Sequence, residues 1–148
     1  MRPIALLAFL SLLSLPVSAQ KKVIVPPEFA PAAGAPAPNF NPGILVNGTL
    51  YVAGQIGQDL KTKQVPAEFE AEVKTCLENI GIILKAGGMK FEDVVAVQVY
   101  LTDMELFQRM NAVYITYFKD QRPARTTVGV SKLAAATAHI EITVTAHK

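Results

Sequence analysis

The chain is poor in the side chains that form cross-links or bind metals. Its 148 residues include one cysteine, two histidines and no tryptophan. A single cysteine cannot form an internal disulfide, so the fold must be stabilised by its core or by its subunits. Cys76 and the two histidines show neither Cys-x-x-Cys nor His-Glu-x-x-His spacing, which excludes the common zinc motifs. The sequence therefore predicts no metal site.

An excess of charge of either sign is also missing. Fourteen Lys and Arg residues against twelve Asp and Glu residues give a formal net charge of +2, which becomes +1 if Arg2 is removed with the leader described next. A nearly neutral protein has no strong electrostatic reason to bind nucleic acid. Nucleic acid is therefore not an expected partner.

Long apolar runs are absent after the first 19 residues. Arg2, the apolar run at residues 4–17 and the small residues that end at Ala19 have the pattern of a secretory signal peptide with its cleavage site. Serines and Pro16 interrupt the run, whereas a spanning helix needs about 20 apolar residues. An uncleaved membrane anchor is the less favoured alternative. We expect a periplasmic or secreted protein with no membrane contact after processing.

Composition divides the chain into three parts: a signal peptide at residues 1–19, a Pro- and Ala-rich segment at residues 20–39 and one domain at residues 40–148. The densest Pro and Ala stretch, residues 26–42, shows neither helical nor strand periodicity. It is predicted to begin as a tether and to end as the lip of a site. The last part has the usual length of a single domain, ~100–150 residues.

Periodic segments of the domain predict a two-layer α+β fold. Asn47-Gly48 between two apolar runs indicates a hairpin, and residues 66–86 form an amphipathic helix. Residues 94–101 are apolar at nearly every position, which predicts a central strand covered on both faces. Residues 102–105 read as a capping box that begins a second helix. Both helices are expected on one face of a mixed sheet, whose other face packs against copies of the chain in a closed ring.

One arginine and one carboxylate on the last two strands are candidates for chemistry. Arg125 shares a strand face with Thr127, and Glu141 lies opposite an apolar row in the final strand. If the two strands pair antiparallel, Arg125 and Glu141 come close together on one sheet face. Spacing alone leaves two interpretations open, a ligand site and an exposed cross-strand ion pair of little energetic value.

With these segments in order, the chain resembles the RidA (YjgF) family from about Pro38 to its C-terminus. An Arg-Pro-Ala-Arg-Thr run with a downstream Ile-Glu-Ile carries the resemblance, together with Gly-Gln-Ile and Met-Asn-Ala. It implies a homotrimer of chorismate-mutase-like subunits with sites in the clefts between them. It also implies hydrolysis of reactive 2-imino or enamino acids to 2-keto acids and ammonia, without a cofactor.

The resemblance assigns roles to residues of this chain. Arg125 would bind the substrate carboxylate, Glu141 would position or activate the attacking water, and Gly54 and Asn111 would line the pocket. The residue types suit this chemistry, because a guanidinium binds a carboxylate bidentately and a carboxylate can take a proton from water. Asn111 has an alternative interpretation as a helix-surface amide.

Three further pocket positions depart from the family pattern. Phe40 stands where active members carry a tyrosine, Ala53 where they often carry a serine, and Thr127 where they carry a cysteine. Phe40 can pack against a substrate but cannot donate a hydrogen bond to it.

Two other functions stay open at this point. Imino acids form beside cytosolic enzymes and decay quickly in water, so an exported copy could instead be a non-catalytic trimer that binds a small carboxylate or a partner protein in the same cleft. The family's other label, endoribonuclease, has little support, because the sequence has no basic stripe, no aromatic stacking platform and no histidine pair placed for phosphodiester cleavage.

Overall fold

A computed structural model describes residues 20–148, and the predicted signal peptide lies outside the described residues. One sheet contains six strands in the order β1-β2-β3-β6-β4-β5. Two helices, α1 and α2, pack against each other and contribute to one core. The element bounds are β1 Lys22–Ile24, β2 Gly43–Val46, β3 Thr49–Ile56, α1 Phe69–Ala86, β4 Val94–Leu101, α2 Phe107–Tyr117, β5 Ala124–Gly129 and β6 Ile140–His147. The predicted two-layer α+β fold is confirmed.

The predicted hairpin joins β2 to β3. Val46 pairs with Thr49 in an antiparallel register, and both residues between them have positive φ angles, 48° at Asn47 and 75° at Gly48. Positive φ at both central positions defines the type I′ turn that an Asn-Gly pair favours.

The starts of both helices differ from the prediction. α1 begins at Phe69 rather than residue 66, because Glu68 is still extended. The predicted capping box at residues 102–105 is not formed. Asp103 accepts a hydrogen bond from the Glu105 backbone N–H at 2.8 Å, and a short 3-10 turn leads into α2. A carboxylate is the stronger acceptor for this bond than the Thr102 hydroxyl.

The strand order corrects the prediction that the last two strands pair with each other. β4 lies between them, parallel to β5 and antiparallel to β6, so that Val97 is the partner of both Arg125 and Val144. The chain returns from α2 in the direction of β4 and pairs with its free edge, as a crossover helix permits. β6 then enters on the other side of β4, next to β3.

The sheet has one covered face and one open face within a single chain. Ile140, Ile142 and Val144 of β6 are buried on the helix side. On the open side Tyr51 is 52% exposed and Val95 49% exposed. The prediction that β4 is covered on both faces is therefore wrong for the isolated chain. Exposed apolar side chains of this kind mark a surface suited to association.

The segment before β2 is more ordered than predicted. β1 pairs with β2, and Ile24 is buried in the core. A 3-10 turn follows at Pro27–Phe29, and Phe29 packs against the core cluster. The prediction of a tether at the start of the Pro- and Ala-rich stretch is wrong, because apolar side chains at its beginning fill space beside the sheet.

A buried carboxylate links α1 to the start of β6. Glu72 is fully buried. It accepts hydrogen bonds from the His139 and Ile140 backbone N–H groups at 2.7 and 3.3 Å, and its other oxygen lies 2.8 Å from His139 Nδ1. A buried charge is tolerated when donors satisfy it in this way.

Replacing Glu72 tests this link. Glu72→Ala should lower the free energy of unfolding by at least about 2 kcal/mol, because two buried N–H groups lose their acceptor. Glu78→Ala is the matched control on the same helix. Its carboxylate is 53% exposed and 3.8 Å from Lys74, so the change should be within about 0.5 kcal/mol. Urea unfolding at fixed protein concentration measures both, and equal effects would contradict the assigned role of Glu72.

Candidate functional site

Arg125 and Glu141 lie on opposite faces of the sheet. Arg125 is in register with Val97 of β4, which faces the helices, whereas Glu141 is in register with Tyr100, three residues further along. An odd separation along a strand reverses the side-chain direction. Two strand spacings and three residues also separate the Cα atoms by roughly 14 Å. Both the shared face and the cross-strand ion pair are therefore wrong for a single chain.

The Arg125 side chain is stacked on aromatic rings of α2. Its guanidinium carbon lies 4.5 Å from the Tyr114 ring centroid and 5.7 Å from that of Phe107. Such contacts hold a guanidinium plane in place while leaving its N–H groups available. Among residues 20–148, no carboxylate lies within ion-pair distance of Arg125.

Arg125 lines a surface hollow of about 520 Å³, which we call the Arg125 hollow. Its other lining residues include Asn111, Tyr114, Arg122 and Pro123. Two guanidinium groups and an amide in one concave surface suit a small anion. The structure thus brings Asn111 and Arg125 together, as the resemblance implied. Thr127 lies on the same face of β5, and its hydroxyl is buried without a hydrogen-bond partner in the described part of the chain.

Sequence reasoning missed Tyr114 and Arg122 as neighbours of this hollow. Tyr114 is buried, but its hydroxyl has no hydrogen-bond partner within residues 20–148. Burial raises the pKa of Tyr114, although the positive charges of Arg125 and Arg122 act in the opposite direction. The phenol stays protonated at neutral pH. Tyr114 is three residues from Asn111 on the same helix, and this spacing was the signal in the sequence that the two side chains are neighbours.

Glu141 lies over a glycine at a bulge in β3. The register between β3 and β6 shifts between Val52 and Gln55, and a Cβ atom added at Gly54 would overlap the Glu141 carboxylate. The Gln55 side chain donates hydrogen bonds to the carbonyl oxygens of Ala53 and Gly54 at 3.0 and 3.1 Å. Gly54 is thus the position that leaves room for the carboxylate of Glu141.

A second hollow, the β3 hollow, adjoins Gly54 and has a volume of about 300 Å³. Phe29, Phe40, Ile56 and Leu60 provide its apolar wall. Phe40 is 64% exposed. Phe40, at the end of the Pro- and Ala-rich stretch, lines this hollow, in the position predicted for the lip of a site.

Polar contacts fix the backbone around the β3 hollow. The Ala53 N–H donates to the Pro42 carbonyl at 2.9 Å, which ties the lip to β3. Asn79 of α1 donates to the carbonyl oxygens of Ile56 and Gln58 at 3.2 and 2.9 Å. The wall is therefore held from both sides.

Cys76 is buried below the same strand. Its thiol donates to the Gln55 carbonyl at 3.0 Å, and burial raises its pKa. The thiol is protonated at neutral pH and unsuited to nucleophilic chemistry. In the described part of the chain, no cluster of three His, Cys, Asp or Glu residues is placed to bind a metal, and no helix is long and apolar enough to cross a membrane.

Comparison with known proteins gives one consistent family. The family model described as Endoribonuclease L-PSP matches residues 30–148. A rat 2-iminobutanoate/2-iminopropanoate deaminase is 40% identical over 114 residues, which cover 76% of this chain and 80% of the rat protein. A RutC family protein of Aquifex aeolicus is 38% identical over 120 residues, covering 80% of this chain and 95% of that protein.

Solved structures share the fold. The Escherichia coli YjgF structure has a TM-score of 0.74 and 32% identity, covering 86% of this chain and 98% of its own. Escherichia coli TdcF with bound serine has a TM-score of 0.76 and 28% identity, covering 86% of this chain and 99% of its own. The mixed sheet with two helices matches the architecture of these proteins.

Substitution of Gly54 tests whether the Glu141 carboxylate occupies the space above this glycine. Gly54→Ala should displace the Glu141 carboxylate and destabilise the fold, because the new methyl group needs the same space. In a Glu141→Ala background the same change should cost less, with a coupling of roughly 1 kcal/mol. Urea unfolding of the four proteins of this double-mutant cycle gives the value. Additive effects would show that the two residues do not share that space.

Proposed function

The chain belongs to the RidA (YjgF) family, whose model is described as Endoribonuclease L-PSP, and on that basis we propose that it hydrolyses 2-imino or enamino acids to 2-keto acids and ammonia. Relatives with about the same length and 40% identity are named for this activity. The observation that carries the proposal is the Arg125 guanidinium, which is stacked on Tyr114 and has no carboxylate partner among residues 20–148.

We propose that each site forms between two protomers of a homotrimer. Within one chain Arg125 lies on the helix side at the β5 edge, and Glu141 lies on the open side of β6. A neighbouring protomer packed on the open face would bring its own β5 edge toward Glu141. Exposed apolar residues on that face, Tyr51, Val95 and Val128, support such packing.

The chemistry follows from the two groups. Arg125 binds the carboxylate of the imino acid through two parallel hydrogen bonds and fixes the position of C2. The imine reacts with its nitrogen protonated by solvent; Glu141 accepts a proton from water, the water oxygen forms a bond to C2, and the electrons of the C2=N π bond pass to the nitrogen. Glu141 then returns its proton to the nitrogen. The C2–N bond breaks with release of ammonia, and the hydroxyl oxygen becomes the keto oxygen as it loses its proton.

A non-catalytic carboxylate-binding trimer is the alternative that one set of observations favours. Phe40 and Ala53 stand where active members carry a tyrosine and often a serine, so two hydroxyl donors are missing, whereas Thr127 adds a hydroxyl in place of a thiol on the Arg125 side. The related TdcF structure contains bound serine, a small carboxylate. Keto-acid binding by calorimetry without imine turnover would favour this alternative.

Mixed oligomers test the proposed site most sharply. Arg125→Ala and Glu141→Gln should each abolish imine hydrolysis alone. Co-expressed in equal amounts, they should regain about a quarter of the wild-type activity, because in a closed ring one interface in four combines an intact Arg125 with an intact Glu141. Imine generated by an amino-acid oxidase provides the substrate, and the rate above uncatalysed hydrolysis is measured.

The control replaces the Glu141→Gln chain with a chain that carries both substitutions. Mixed with Arg125→Ala, this chain supplies no intact Arg125, and no activity should return. Mixed oligomers of the two single variants that stay inactive would refute a site shared between protomers.

We also propose that the protein is exported and that its leader is cleaved after Ala19. The support is the basic, apolar and small-residue pattern of the first 19 residues. N-terminal sequencing of the protein from the exported fraction should begin at Gln20. A full-length chain retained in the membrane fraction would instead support the uncleaved anchor.

A further inference from the structure

The β3 hollow meets the proposed reaction centre at Gly54. This glycine lines the hollow, and the space above its Cα atom is filled by the Glu141 carboxylate. A substrate whose C2 atom lies beside Glu141 could therefore extend its side chain across Gly54 into the hollow. Gly54 itself places no side chain on that path.

The lining of the hollow is partly apolar and partly polar, and the amide N–H groups of its Gln55, Gln58 and Asn79 side chains are already bonded to backbone carbonyl oxygens. Phe29, Phe40, Ile56 and Leu60 form the apolar wall, while Glu28 and Lys63 belong to the same lining. Phe40 is 64% exposed, so this ring has apolar surface to bury against a ligand. Because Phe40 lacks a hydroxyl, this part of the wall presents no donor to a polar side chain.

Part of the wall comes from outside the family match. The match begins at residue 30, whereas Glu28 and Phe29 precede it. The 3-10 turn at Pro27–Phe29 brings the Phe29 ring against the core and beside the hollow. The hydrogen-bonded loop opposite, in which Asp59 accepts from the Lys61 and Thr62 N–H groups at 2.9 and 2.7 Å, holds Leu60 in place.

The size of the hollow favours a larger side chain than a methyl group. About 300 Å³ is the lower end of small-molecule pockets, and a methyl group would leave most of it unfilled. Each additional buried methylene should raise kcat/KM about fourfold if it is desolvated in the transition state.

We propose that the preferred substrates are 2-imino acids with branched aliphatic side chains, such as the imine derived from leucine, rather than the imine derived from alanine. This inference rests on the proposed function, because it concerns the side-chain pocket of that same site. Phe29, Phe40 and Leu60 are its specificity-determining residues.

The experiment compares kcat/KM for the leucine-derived and alanine-derived imines with the full mature chain. The wild-type protein should prefer the leucine-derived imine at least about tenfold. Leu60→Trp, which fills the hollow, and Phe29→Ala, which removes one wall, should both bring the ratio toward one. Val25→Ala is the matched control, because Val25 is exposed in the same N-terminal segment and does not line the hollow. Its ratio should equal that of the wild type.

The possible failures are distinguishable. Equal rates for the two imines, or a ratio that Leu60→Trp leaves unchanged, would overturn the substrate preference and leave the proposed function intact. Absence of any acceleration for either imine would overturn the proposed function, and the preference with it. Since Phe29 packs against the core, Leu60→Trp provides the decisive variant if Phe29→Ala does not fold.

Discussion

The position of β4 between β5 and β6 is the constraint on which the rest of the structure depends. It places Arg125 at a free sheet edge on the helix side and Glu141 on the uncovered side. One chain cannot bring these two groups to the same small ligand. The proposed chemistry therefore requires a second copy, and the open face has exposed apolar residues suited to packing against one.

Each half of the proposed site is held by its own set of contacts. On one side, the Tyr114 and Phe107 rings fix the Arg125 guanidinium. On the other side, two features of the structure fix the first residues of β6. The buried Glu72 carboxylate accepts the N–H groups of the two residues that precede Glu141, and the bulge at Gly54 leaves space for the Glu141 carboxylate itself. Because these side chains are already held in place, binding of a substrate loses less conformational entropy.

The elements of the fold followed from local patterns, whereas the order of the strands did not. The Asn-Gly turn and the apolar face of α1 depend on neighbours in sequence, and both were predicted. The pairing of β5 with β4 depends on the α2 crossover, and alternation along β5 and β6 cannot distinguish that arrangement from a hairpin. The same alternation identified Arg125 and Glu141 but gave no information on which sheet face each one occupies.

The residues missed by sequence reasoning share a physical reason. Glu72 lies at a polar position of the helical pattern, yet two backbone N–H groups distant in sequence make its burial favourable. Phe29 lies in a Pro- and Ala-rich stretch without periodicity, and only the fold brings it against the core. Arg122 gave no periodic signal, because it precedes β5. For Glu72 and Phe29, the contact that decides the role joins segments far apart in the chain.

The most direct test of the central claim is a crystal structure of the mature protein with a bound 2-keto acid, the product of the proposed reaction. We expect a ring of protomers in which the ligand carboxylate is paired with Arg125 of one protomer and its C2 atom faces Glu141 of the next. A ligand bound by residues of a single protomer, or an assembly in which Arg125 and Glu141 of neighbouring copies face bulk solvent apart from each other, would contradict it.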